Sequence, residues 1–188
     1  MKSKVNSQPP NPRRLVLASL FTALIVVGGY LSVPLPFSPV PLALADFFVM
    51  LSGLLLGSSL GLTSTACYLL LGALGLPVFA GGKAGLAVFL GPTGGFLIGY
   101  LVAAWLIGII ATGGRTNPFK DGLALLAGNI VLHVCGVSWL VATLHLSWGK
   151  ALAAGVLPFL PGAVIKGIAA VILARVIRPQ LSGNDRRG

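Results

Sequence analysis

The chain has 188 residues, of which 56% are apolar and only 9% are charged. Soluble domains carry about 25% charged residues, so this composition excludes an ordinary soluble globule, and the high apolar content excludes a disordered chain. The class of protein that remains is an integral membrane protein. In such a protein the excess of basic residues, 13 against 3 acidic ones, is explained by membrane topology rather than by nucleic-acid binding.

Six apolar runs are suited to crossing a bilayer, which takes about 20 residues. They lie at residues 15–33, 42–60, 61–78, 94–112, 122–146 and 161–177. The first run follows a basic leader, but prolines come after it instead of a small-residue cleavage site, so we interpret it as a mature helix and not as a signal peptide. The uncharged sequence Gly57-Ser58-Ser59 predicts the turn between the second and third spans.

We therefore predict an all-α integral membrane protein with one six-helix transmembrane domain at residues 15–178, a basic leader at 1–14 and a basic tail at 179–188. With an even number of spans both termini share a side, which carries ten of the basic residues, whereas the opposite side carries Lys83 and Lys150. Cytoplasmic loops are enriched in Lys and Arg. We expect both termini to be cytoplasmic in a multi-pass protein of the cell membrane.

The thirteenth basic residue, Lys166, falls inside the sixth predicted span. An ammonium at such depth is costly and normally faces a partner, a ligand or a wet cavity. The acidic residue at comparable depth is Asp46, near the start of the second span. If the two residues pair, the site is neutral and structural; if they do not, Lys166 is available to a ligand carboxylate. In a third interpretation the lysine side chain extends to the membrane surface.

Polar side chains in the fifth span form a second candidate site. Asn129 and His133 are four residues apart and therefore share a helix face. Their donors and acceptors suit recognition of a polar group, or equally a contact between helices. Trp139, further along the same span, is either an anchor at the membrane interface or a ligand contact.

Residues 75–95 contain more glycines than a plain connector needs, which favours a loop folded tightly over a pocket. The segment lacks the GK[ST] sequence of a phosphate-binding loop. The chain also lacks HExxH and an acidic pair suited to acid–base catalysis. Cys67 and Cys135 lie in apolar runs and suggest neither a disulfide nor a metal site. We therefore predict no catalytic residue, no metal site and no cofactor.

Several of these segments together resemble the BioY family, the substrate-binding membrane components (S components) of energy-coupling-factor (ECF) biotin transporters. The matching motifs are GLPVFAGG at 75–82 with GPTGG at 91–95, PLPFSPVP at 34–41, GLLLG at 53–57, and LPFLPG at 157–162 with Lys166 four residues later. The resemblance covers residues 14–178.

The resemblance implies a six-helix S-component bundle in the lipid bilayer with an outward pocket for biotin. It also implies partners, namely a transmembrane coupling subunit and a pair of cytoplasmic ABC-type ATPases. In the family, small residues spaced four apart on the first helix form the docking face for the coupling subunit. The candidates here are Ser19 with Ala23 and Ala18 with Thr22, a spacing that suits close helix approach.

By this resemblance, Lys166 holds the biotin carboxylate and Phe79 forms part of the apolar wall. Polar atoms of the loop around Gly81 and Gly82, with Asn129 or His133, take the ureido group. Residues 34–41 are expected to close the site as a lid.

The sequence departs from the family at three of the relevant positions. Ala163 stands where the family commonly has aspartate, His133 where tyrosine is frequent, and Asp46 where glutamine is frequent. The loss of the aspartate removes one expected ligand contact. Two alternatives therefore stay open: an S component for another small vitamin, and a non-transporting helical scaffold in which Lys166 is paired with Asp46.

Overall fold

The computed structural model describes residues 12–111 and 117–183. The predicted positions at 1–11, 112–116 and 184–188, which include Arg115, lie outside the described residues. The helices are α1 (Pro12–Tyr30), α2 (Ala45–Ala73), α3 (Ala87–Leu90), α4 (Gly94–Ala111), α5 (Pro118–Leu144), α6 (Trp148–Gly155) and α7 (Leu160–Gly183). Two short strands, β1 (Ser32–Val33) and β2 (Leu42–Ala43), pair antiparallel between α1 and α2, and 3₁₀ turns lie at Ala80–Gly82 and Leu157–Phe159.

Helix α2 is folded back on itself at Gly57. This glycine has φ +81° and ψ −180°, outside the helical region. A Cβ placed on Gly61 would lie 2.9 Å from the Cα of Gly53, although residues eight apart in a straight helix are about 12 Å apart. The segments 45–56 and 58–73 therefore run antiparallel and in contact. The predicted turn at residues 57–59 is confirmed.

Among the described residues, five helical segments are long and apolar enough to span a membrane: α1, α2, α4, α5 and the segment formed by α6 and α7. Because α2 is folded at Gly57, the chain crosses the bundle six times, as predicted. The helix ends differ in detail. Helix α1 begins at Pro12, before the predicted start at residue 15, and α7 continues to Gly183, past residue 178.

The first and last helices meet at one end of the bundle. The guanidinium of Arg13 in α1 donates to the carbonyl of Leu181 in α7. We call this the terminal end. The opposite end, called the loop end, carries residues 31–44 and 74–93 and the start of α7. Which end faces the cytoplasm stays a prediction from the distribution of basic residues.

Small residues bring α2, α4 and α5 into close contact. A Cβ on Gly53 would lie 2.5 Å from the carbonyl oxygen of Ala104, and one on Gly108 would lie 2.2 Å from the backbone nitrogen of Ser58. A Cβ on Gly136 would lie 2.3 Å from the ring of Phe96. Close backbone approach of this kind supplies van der Waals contact where the hydrophobic effect cannot drive helix association.

Helix α7 packs differently, since most of its large apolar side chains face outward and its buried apolar residues are Ala170 and Ala174. Near the terminal end, Arg178 is buried and donates to both carboxylate oxygens of Asp121 in α5, at 3.1 and 3.2 Å, and to the carbonyl of Leu54 at 2.9 Å. Arg178 is one of the ten basic residues on the side that carries both termini. Its side chain joins α7 to α5 and α2.

Candidate functional site

The loop end contains two small adjoining chambers, each about 40 Å³ in volume. Both are lined by Val40, Pro41, Ala43, Phe96 and Tyr100. The first chamber is also lined by Tyr68, Phe79, Lys83 and Thr93, and the second by Asp46, His133, Phe159 and Ala163. Sites for small organic ligands typically measure about 300–1,000 Å³. A vitamin-sized ligand therefore requires movement of the surrounding walls.

The roof of both chambers is the proline-rich loop between β1 and β2. Its base is held by the pairing of Ser32 with Ala43. At its tip the Ser38 hydroxyl donates to the carbonyl of Ala154 in α6 at 2.8 Å, and it accepts from the backbone N–H of Val40 at 3.1 Å. The loop therefore covers the chambers and is fastened to α6 through a single side-chain hydrogen bond. This position fits the lid expected from the sequence.

Lys166 forms an ion pair with Asp46, which lines the second chamber, whereas Lys166 itself lines neither chamber. The ammonium donates to Asp46 Oδ1 at 2.7 Å, to Asp46 Oδ2 at 2.9 Å and to the carbonyl of Ala43 at 2.7 Å. The two side chains are 13% and 19% exposed. The interpretation in which Lys166 extends to the membrane surface is wrong, because its ammonium bonds inward. The pairing of Lys166 with Asp46, which the sequence left open, is present in the structure.

His133 and Asn129 share a face of α5, as predicted, but they differ in what they reach. His133 lines the second chamber, where its ring lies edge-on to Phe96 and Phe159, and its Nδ1 is 2.9 Å from the carbonyl of Asn129. The Asn129 amide instead donates to Met50 Sδ at 3.9 Å and faces an apolar groove between α5 and α7 of about 600 Å³. Of the two, His133 is the one placed to contact a ligand in the chambers.

Phe79 anchors the glycine-rich segment. Its ring is 1% exposed and lies edge-on to Tyr68 and Phe89, with centroids 5.5 and 5.6 Å away. A Cβ on Gly72 would lie 2.1 Å from the ring, so this ring fills the space above a glycine of α2. Phe79 lines the first chamber, but most of its surface is in contact with the protein core and not with the chamber.

Gly81 and Gly82 form the turn that follows Phe79. Both have positive φ, +71° and +73°, a backbone conformation that favours glycine. The backbone N–H of Gly81 donates to the hydroxyl of Ser32 in β1 at 3.0 Å. Neither glycine lines a chamber, whereas Ala80 and Lys83 on either side do. These glycines shape the segment that closes the first chamber.

Trp139 joins α5 to the second glycine cluster. Its indole N–H donates to the carbonyl of Gly91 at 2.9 Å, and a Cβ on Gly95 would lie 2.2 Å from the Cβ of Trp139. Trp139 lines neither chamber. Its position is that of a packing residue that fixes residues 91–95 on α5.

The two predicted pairs of small residues on α1 lie on different faces. Ala18 and Thr22 are buried, and the Thr22 hydroxyl bonds to the carbonyls of Ala18 and Ser64. This pair is therefore used in packing α1 on α2. Ser19 and Ala23 lie on the exposed face and are the pair available to a partner.

Tyr100 is a site residue that the sequence analysis missed. It lies on α4 and lines both chambers, in contact with the wall that carries Asp46. The available signal was a single tyrosine within an otherwise apolar span. Phe96 and Phe159 were missed because aromatic residues are common in membrane helices. Among the described residues no group of three His, Cys, Asp or Glu side chains is placed to hold a metal ion.

Comparison with known proteins identifies close relatives over most of the chain. A family model described as the BioY family matches residues 1–183. The chain is 43% identical to the biotin transporter BioY of Thermotoga maritima, over 86% of this chain and 94% of the relative. It is 41% identical to the probable biotin transporter BioY of Pyrococcus horikoshii, over 92% and 98% of the two chains. A crystal structure described as the S-component for biotin from an ECF-type ABC transporter superposes with a TM-score of 0.82 at 34% identity, over 91% of this chain and 95% of that one.

Proposed function

Because this chain belongs to the BioY family, we propose that it captures biotin as the substrate-binding membrane component of a biotin uptake transporter. The observation that carries this proposal is similarity to biotin transporters over nearly the full length of both chains. The fold agrees, since the similar crystal structure is that of a biotin S-component. The chain is thus a multi-pass membrane transport protein and not an enzyme.

The binding site is the pair of chambers beneath residues 34–41. Lys166 supplies the cation for the biotin carboxylate, because its ammonium is held directly behind Asp46, which lines the second chamber. Phe96 and Phe159 offer apolar surface for the valeryl chain and the thioether. His133, which lines the second chamber, is placed to bond the ureido group. Asn129 supports His133 through its backbone carbonyl.

Equilibrium binding of radiolabelled biotin to the purified protein tests this proposal. We expect saturable binding that unlabelled biotin displaces and that other vitamins do not. In Lys166→Ala the affinity should fall roughly 10–100-fold, the value of a charge-assisted hydrogen bond. Lys150→Ala, which removes an exposed lysine at the same end of the bundle, is the matched control. The double variant Lys166→Ala/Asp46→Ala shows whether the loss comes from Lys166 or from an unpaired Asp46. Undiminished affinity in both variants contradicts the role of Lys166.

Transport requires a coupling subunit and a pair of ABC-type ATPases in this proposal. Its support is that the similar structure belongs to an ECF-type ABC transporter and that these 188 residues contain no GxxxxGK[ST] sequence. The docking face is the exposed side of α1 around Ser19 and Ala23. Large apolar side chains flank these small residues, with Val16 at 66% and Leu20 at 51% exposed.

We assign the terminal end to the cytoplasm. The support is the excess of basic residues there, since cytoplasmic loops are enriched in Lys and Arg. The chambers then open outward, toward the source of the vitamin. A reporter protein that folds in the cytoplasm and not outside it, fused after residue 188, should be active. Activity only of a reporter that requires export would contradict this orientation.

A further inference from the structure

The ammonium of Lys166 has no hydrogen-bond donor left for a ligand. An ammonium has three N–H groups, and in this structure they are directed at the two carboxylate oxygens of Asp46 and the carbonyl of Ala43. A ligand carboxylate can therefore bind Lys166 only after one of these acceptors has left. This section rests on the proposed function, in which the ligand is biotin.

Asp46 is the acceptor that is able to leave. The carbonyl of Ala43 belongs to β2, and its position is held by the pairing of that strand with β1. The Asp46 carboxylate is on a side chain that already lines the second chamber. Away from Lys166 it keeps one bond, from the backbone N–H of Phe47 at 2.8 Å. Rotation of one side chain thus frees up to two ammonium N–H groups.

The net charge of the site changes when a ligand carboxylate takes the place of Asp46 beside Lys166. The site is neutral as a lysine–aspartate pair, and a second carboxylate would make it negative in a largely buried position, with Asp46 at 19% exposure. Two carboxylates in one largely buried site repel each other, and this repulsion carries a large free-energy penalty. Neutrality returns if one proton accompanies the ligand.

We propose that Asp46 is an internal competitor of the ligand: the biotin carboxylate replaces Asp46 on Lys166, and the displaced Asp46 takes up one proton from the acid form of the buffer. No covalent bond other than the carboxylic O–H is formed, and the site carries an ammonium, a ligand carboxylate and a neutral acid at the end. The other titratable groups near the chambers are Tyr100 from α4, His133 from α5, Tyr68 from the second half of α2 and Lys83 from the glycine-rich segment. Residues 34–41 contribute none.

Isothermal titration calorimetry of the wild-type protein with biotin tests the proposal without any variant. Titrations at pH 7 in buffers of different ionisation enthalpy give the number of protons bound per ligand. We expect about one proton for biotin and none for biotin amide, which has no charge to exchange. The Kd for biotin should rise up to about tenfold per pH unit above neutrality, because binding takes up a proton.

Variants identify the group that binds the proton. Asp46→Asn should abolish the uptake and strengthen biotin binding about tenfold or more at neutral pH, with little change for biotin amide. His133→Gln should keep the uptake, whatever its effect on affinity. Asp185→Asn, which removes the third acidic residue of the sequence, is the matched control and should also keep it.

Two results overturn the inference while leaving the proposed function intact: biotin binding by the wild type without proton uptake, and uptake that persists in Asp46→Asn. The first of these decides the matter even if Asp46→Asn does not fold. Absence of saturable binding of either biotin or biotin amide by the wild type contradicts the proposed function itself, and the inference with it.

Discussion

Replacement of Arg178 by Met tests the ion pair that holds α7 at the terminal end. The Arg178 side chain is 9% exposed and that of Asp121 is 1% exposed, with nitrogen–oxygen distances of 3.1 and 3.2 Å. The same guanidinium also donates to the carbonyl of Leu54. Arg178→Met therefore leaves a buried carboxylate without a charge partner and a carbonyl without that donor.

The expected loss of unfolding free energy is about 3–5 kcal/mol, the usual effect of removing one partner of a buried ion pair. Most of this loss is the penalty of the unpaired Asp121 and not the net value of the pair. The double variant Arg178→Met/Asp121→Leu removes both charges and should recover most of the stability. The two substitutions are thus expected to be strongly non-additive.

The assay is unfolding by SDS in mixed detergent micelles, followed by tryptophan fluorescence. Arg175→Met is the matched control, because Arg175 lies three residues earlier on α7 with an exposed side chain. We expect this control to stay within about 0.5 kcal/mol of wild type. The reasoning is refuted if Arg178→Met also stays within that range, or if the double variant is less stable than the single one.

Three further substitutions probe the site and its surroundings. Gly72→Ala places a Cβ 2.1 Å from the ring of Phe79, so it should displace this ring and weaken biotin binding. The control Gly122→Ala, with no atom within 4 Å of its Cβ, should leave biotin binding unchanged. Ser38→Ala removes the hydrogen bond between the roof and α6. Because such a bond contributes about 1 kcal/mol, biotin should dissociate roughly fivefold faster in stopped-flow measurements. An unchanged dissociation rate would show that this bond does not hold the lid. Ser19→Leu on the exposed face of α1 should abolish biotin uptake by cells, while the purified variant binds biotin normally. The control Ala142→Leu, at an exposed small residue of α5, should change neither uptake nor binding. Normal uptake in Ser19→Leu argues against docking of the coupling subunit on this face.

The sequence predicts the helices well because hydropathy and turn residues are local properties. The turn at Gly57 was inferred from a short uncharged sequence, and the structure places a positive φ at that glycine. The loop at residues 34–41 also follows from the sequence, since four prolines exclude a helix there. These features depend on neighbouring residues along the chain and on little else.

The contacts between helices could not be predicted in the same way. Lys166 and Asp46 were recognised as residues at comparable depth, but their pairing depends on how α7 is placed against α2, which no local pattern specifies. The ion pair of Arg178 escaped prediction for the same reason, because an arginine near a helix end is typical of membrane topology and its buried partner Asp121 lies 57 residues away in the sequence. Tyr100 gives only the weak signal of a lone tyrosine in an apolar span, and its role emerges once α4 is placed beside the roof.

The fold of α2 has a consequence for how the protein enters the membrane. Its first half, residues 45–56, is about 18 Å long as a helix, well short of the roughly 30 Å of hydrocarbon in a bilayer. Once the turn at Gly57 has formed, this half alone does not span the hydrocarbon. It contacts the second half closely at Gly53 and Gly61. We therefore expect the ribosome-bound chain to hold residues 45–56 at the translocon until residues 58–73 have emerged, so that the two halves leave together as one hairpin.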